Sequence, residues 1–156
     1  MRAYKHWLPV FLWMGVIFIM STDLGSSVHT SRIIEPLLRW LNPQISPEAI
    51  GRVHFLVRKT GHFTEYAVLA LLVLRAFRKS TPEFWSTRVW RAAVCALLVT
   101  AAYAATDEFH QVFVPGRTAS PGDVLIDSSG GAAALALSVL RQQRRTRRAA
   151  PDGNAG

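Results

Sequence analysis

Ala92-Ala-Val-Cys-Ala-Leu-Leu-Val-Thr-Ala-Ala-Tyr-Ala-Ala-Thr106 carries no charge and runs straight into Asp107-Glu108-Phe-His110-Gln111. Such a run reads as a helix that ends in a polar tip, long enough with its flanks to enter a bilayer. Working outward, three more stretches repeat the theme. Residues 6–22 are uncharged, 124–140 carry only Asp127, and about 61–77 carry His62, Glu65 and Arg75. Crossing the hydrocarbon takes about 20 residues, roughly 17 at the short end. The four runs therefore predict an all-α integral membrane protein with spans at about 6–22, 61–78, 89–107 and 121–140. Each helix is expected to continue into the interface, where Tyr4, Trp7, Trp13, Trp85 and Trp90 would form an aromatic belt.

Composition agrees with that class. The 156 residues are 50% hydrophobic and 18% charged, with a net charge of +8. So apolar a chain is not a disordered tail, and so basic a soluble nucleic-acid binder would not carry these runs. One cysteine, Cys95, excludes a disulfide framework and a cysteine zinc cluster. The first run resembles a signal peptide in having Arg2 and Lys5 ahead of its apolar core. No small-x-small site follows Met20, so a retained helix is expected.

Basic residues set the orientation. Twelve of the 18 Lys and Arg fall in residues 1–6, 75–91 and 141–156, against six in the longer stretches 21–60 and 107–122. The excess of positive charge places both termini in the cytoplasm. The polybasic tail at 141–148 is expected to meet anionic headgroups rather than nucleic acid. Residues 1–148 would form one membrane domain and 149–156 a disordered tail. In the first outer connection, Ile34, Leu37, Leu38 and Leu41 repeat with helical spacing, as do Ile50, Val53, His54 and Val57. Both predict short interfacial helices, the second starting at Ser46-Pro47 and able to run into the second span.

Three polar motifs carry the unusual chemistry. His62, Glu65 and Tyr66 share one helical face behind Arg58-Lys59. Asp107, His110 and Gln111 repeat that spacing at the end of the third span. Arg117 lies in a turn before Ser120-Pro-Gly-Asp123, with Asp127 one helical turn further on. All lie at the expected extracytoplasmic ends, so they converge on one outward pocket. A carboxylate at the centre of a span costs about 2.5–3.5 kcal/mol, which favours a shared polar site for Glu65 and Asp127. Simpler roles compete: Asp123 as a capping-box partner of Ser120, Arg117 as an ion-pair partner of Asp107 or Glu108, Arg58 and Lys59 as interface anchors. Ser128-Ser-Gly-Gly-Ala-Ala-Ala134 reads as close helix packing through Gly130 and Ala134. The chain has no GxSxG, HExxH or nucleotide-binding loop.

The ordered motifs Lys59-x-x-His62-Phe63-x-Glu65-Tyr66-Ala67, Asp107-Glu108-x-x-Gln111-x-Phe113-x-Pro115-Gly116-Arg117 and Asp123-Val-Leu-Ile-Asp127-x-x-Gly130, with Phe18-Ile-Met-Ser21 ahead of them, resemble the VanZ-like family of bacterial membrane proteins. Asp127 departs from the Asn expected in many members. The resemblance implies a cell-envelope protein, since the founding member is associated with low-level teicoplanin resistance. It also implies a pocket of Lys59, His62, Glu65, Tyr66, Asp107, Glu108, Gln111, Arg117 and Asp123, to which Asp127 is added. Two functions follow. A binding protein would take an anionic lipid, a lipid-linked cell-wall intermediate or a lipoglycopeptide, with Lys59 and Arg117 meeting phosphate or carboxylate. A membrane-embedded hydrolase or transferase would use Glu65, His62, Asp107, Glu108 and Asp123 as a divalent-metal site or general base. The binding reading needs no cofactor. A transporter fits less well, because the ionisable groups stop at one side.

Overall fold

The computed structural model describes residues 4–22, 27–82, 89–115, 117 and 119–149, with side chains omitted at 27–29 and 149. Among these it is all-helical, in five helices. They are α1 (Tyr4–Ser21), α2 (Ser27–Leu41), α3 (Pro47–Ser80), α4 (Val89–Gln111) and α5 (Pro121–Ala149). Trp85, Gly116 and residues 150–156, including most of the expected tail, lie outside the described set.

Local signals explain the boundaries. Ser46 caps α3 by accepting a hydrogen bond from the Ala49 N–H at 3.2 Å, and Pro47 follows at the first position. No proline follows until Pro82, and Gly51 and Gly61 are accommodated, so the interfacial segment and the second expected span form one helix of 34 residues. The fourth span likewise continues past residue 140, making the arginine-rich stretch its last turns.

Among the described residues the contact between α3 and α5 is the most extensive, followed by that of α4 with α5. Small residues allow it. A Cβ on Gly130 would lie 2.9 Å from the Phe63 carbonyl carbon, and one on Gly131 only 3.2 Å from Thr100 Cγ2 and 3.3 Å from Ala70 Cβ. The buried core is rich in alanine (Ala70, Ala76, Ala92, Ala93, Ala96, Ala104) around Tyr66, Leu69 and Val73. Backbones approach closely through such residues where dispersion, not water exclusion, holds helices together.

Four side chains fasten α1 by hydrogen bonds. Trp7 Nε1 donates to Ser80 Oγ (3.1 Å), Trp13 Nε1 to the Glu65 carbonyl (2.9 Å), Tyr103 Oη to the Met14 carbonyl (2.7 Å), and Arg117 to the last carbonyls of the helix. The order of these partners makes α1 antiparallel to α3. It also changes the expected aromatic belt. Trp7 and Trp13 turn inward as donors, while Tyr4 and Trp90 are exposed.

Among the described residues two helices, Val89–Gln111 and Pro121–Arg148, are long and apolar enough to cross a membrane. In each, only 28% of the apolar window is buried, unlike a soluble core helix. The other two expected spans fall short of the same standard for physical reasons. α1 is long enough, but Tyr4-Lys5-His6 and Pro9 in its first turns lower its hydropathy; α3 has its apolar stretch confined between Glu65 and Arg75.

Candidate functional site

Asp123 and Asp127 are one turn apart on α5, and Lys59 and His62 are one turn apart on α3. Because the two helices run parallel here, the side chains meet as two rungs. On the first, Lys59 Nζ bonds Asp123 Oδ1, and an Arg58 nitrogen lies 3.6 Å from Asp123 Oδ2. On the second, His62 Nδ1 lies 3.3 Å from Asp127 Oδ1, close but not aligned as a hydrogen bond.

The third helix adds two acids. Asp107 is buried and accepts from Gln111 Nε2 at 3.1 Å, one turn along α4. Glu108, equally buried, accepts from the Ser120 backbone N–H through Oε2 at 3.0 Å. That bond settles the capping question. The Ser120 N–H is satisfied by a carboxylate from another helix, Ser120 Oγ takes the Gly122 N–H at 3.1 Å, and the Asp123 carboxylate is spent on cations. The reciprocal capping box is not formed.

Arg117 is placed differently from the simple expectation. It pairs with neither Asp107 nor Glu108; its guanidinium donates to the Met20 and Thr22 carbonyls that end α1, the latter at 3.2 and 3.4 Å. A cation suits a helix C-terminus, whose last carbonyls carry partial negative charge. Burial holds its pKa below the ordinary arginine value, and the nearby Arg58 charge acts in the same direction. A guanidinium keeps its proton all the same.

A cavity of about 210 Å³ opens between these groups, lined by Met20, Arg58, His62, Glu65, Asp107 and Arg117 with others. Lys59, Tyr66, Glu108, Gln111, Asp123 and Asp127 stand outside its lining. Tyr66 is completely buried, its ring 6.3 Å from that of Tyr103. His62 is the member shared by the cavity and the inner cluster. In that cluster one ligand-type atom each from His62, Glu108 and Asp127 lies within 4.8 Å of the other two. Of the acids expected to share a site with His62, only Glu108 joins this group. Asp123 is neutralised by Lys59 and Arg58, whereas Asp127, the departure from the expected Asn, faces the histidine.

Several lining residues were not among those expected in the pocket. Ile17, Met20 and Ser21 come from α1, Thr30 from α2, and His54 and Arg58 from the first half of α3. His54, Arg58, His62 and Glu65 recur with helical spacing, and that run was the signal available. The carbonyls that bind Arg117 have no side-chain signal at all.

A protein-family description, VanZ/LLP1, matches residues 6–142, most of the chain. The chain belongs to the VanZ/LLP1 family. Comparison with curated proteins and with solved structures gives no significant match. Family membership supports a VanZ-like envelope protein, and with the two long apolar helices it points to a membrane protein.

Proposed function

We propose that this VanZ/LLP1 protein crosses the bacterial cytoplasmic membrane four times with both termini inside, and that its outer-end cavity binds the headgroup of an anionic lipid or lipid-linked cell-wall intermediate. The carrying observation is the cavity itself, where Arg58 and Arg117 meet an apolar wall that includes Ile17 and Met20, with Glu65 and Asp107 on the same lining to orient those cations and accept sugar hydroxyls. Cation plus apolar wall is the chemistry of a phosphate headed by an acyl or prenyl chain. At about 210 Å³ it is smaller than the roughly 300–1,000 Å³ of drug-sized sites. A headgroup suits it better than a whole lipoglycopeptide, so the teicoplanin connection is assigned to a lipid-linked envelope component.

Charge and surface support the topology. The cavity end gathers acids, while Arg75, Arg78 and Lys79 of α3 share neighbouring grooves with Arg141 and Arg145 of α5 at the other end. Large apolar side chains face outward: Phe11, Leu12 and Ile19 on α1, Leu98 on α4, Leu125 and Leu137 on α5. The uncovered face of α2, with Ile33, Leu37 and Trp40, suits the interface.

The test titrates detergent-purified protein with short-chain phosphatidylglycerol and phosphatidylcholine, read by calorimetry. At least tenfold tighter binding of the anionic lipid is expected, about 1.4 kcal/mol, and it should fall away in Arg58→Gln. Equal affinity for both lipids overturns the reading. One observation favours the hydrolase or transferase alternative, namely the carboxylate–histidine cluster behind the cavity. Turnover of a lipid-linked phosphate that is lost in Glu65→Gln and Asp107→Asn would establish it.

A further inference from the structure

The inner cluster has an imbalance that hydrogen bonding leaves in place. Asp127 is fully buried, and among the described residues neither of its carboxylate oxygens has a hydrogen-bond partner. Glu108 Oε1 is buried without a partner while its sister oxygen is held by Ser120, and His62 Nδ1, 3.3 Å from Asp127 Oδ1, makes no aligned hydrogen bond. Two carboxylates beside one imidazole leave a deficit of positive charge where an uncompensated ion costs several kcal/mol. The neighbouring cations do not remedy it. Lys59 and Arg58 are engaged with Asp123, and Arg117 with the end of α1.

From this geometry we infer that His62, Glu108 and Asp127 bind one divalent metal ion of the Mn²⁺ or Zn²⁺ type. One nitrogen and two carboxylate oxygens form a donor set that such ions accept, and the absence of thiolate in the cluster disfavours softer ions. Atoms sharing an ion at about 2.1 Å stand about 3.4 Å apart, so ligands already within 4.8 Å need shifts of an ångström or so. The Ser120 N–H fixes the Glu108 carboxylate from behind, as outer-shell partners do at metal sites. The three residues come from α3, α4 and α5, so the ion would tie together the helices that carry the cavity. Through His62 it would add positive charge beside the headgroup pocket; that consequence rests on the proposed function, whereas metal binding itself does not.

The experiment washes detergent-purified full-length protein with chelator and titrates Mn²⁺, counting bound ion by mass spectrometry and following it by electron paramagnetic resonance. One equivalent per chain is expected, with Zn²⁺ competing. Asp127→Asn and His62→Gln should each weaken Mn²⁺ binding at least tenfold, while Glu35→Gln, in an exposed α2 ion pair, leaves it unchanged. Thermal melting checks that each variant is folded, and the near-isosteric Asp127→Asn guards against a packing artefact. Absence of stoichiometric Mn²⁺, or equal affinity in folded parent and variants, overturns the site. The lipid titration separates the two claims. Anionic-lipid preference without metal binding leaves the cavity standing and removes the ion; metal binding without lipid preference does the reverse.

Discussion

Asp123 illustrates how single residues carry this site. Its carboxylate is almost fully buried and faces Lys59, with Arg58 next in line at 3.6 Å. Removing one member of a buried pair strands the other charge, at about 3–5 kcal/mol. Arg58 remains to compensate and Lys59 is itself 15% exposed, so Lys59→Met should cost about 2 kcal/mol. In thermal melts that is a fall of roughly 4–8 °C, largely restored by Lys59→Arg. An unchanged melting temperature would mean the pair behaves as a surface one. At this scale the sequence named the participants but not their partners. The i, i+3, i+4 spacing placed His62, Glu65 and Tyr66 on one helical face, yet spacing within one helix says nothing about which side chain of another helix arrives opposite. Arg117 is the clearest case, because its partners are backbone carbonyls.

Among the elements, the glycine pair on α5 governs how near α3 can come. The two positions make opposite demands. At Gly130 an added Cβ meets the Phe63 backbone, which cannot step aside; at Gly131 it meets the Thr100 Cγ2 and Ala70 Cβ methyls, and the helices that carry them need part by only a few tenths of an ångström. Gly130→Ala is expected to cost about 3 kcal/mol and to loosen the Lys59–Asp123 and His62–Asp127 rungs, whereas Gly131→Ala should cost about 1 kcal/mol or less. Paired melting curves decide it, since equal effects would contradict the α3–α5 packing. The small-residue run was legible as a packing surface. Its partner was not, and neither was the inward turn of Trp7 and Trp13, because an aromatic ring near a helix end suits both an interface and a donor role.

For the whole molecule, the segregation of charge makes a prediction about sides. Reporter fusions ending after His62 and after Phe113 should both give extracytoplasmic signals, with alkaline phosphatase active and a cytoplasmic reporter silent. Cytoplasmic signal at both positions would reverse the orientation and move the cavity to the other face. The periodicity, the apolar runs and the ordered motifs determined helical class and family from the sequence by itself, since both depend on local pattern. Which acids are neutralised was decided only by the tertiary structure. Asp123 and Asp127 look alike along the chain, but the parallel approach of α3 delivers two cations to one and a histidine to the other. Electrostatic energy depends on distance through space, and no spacing along a single helix encodes that distance.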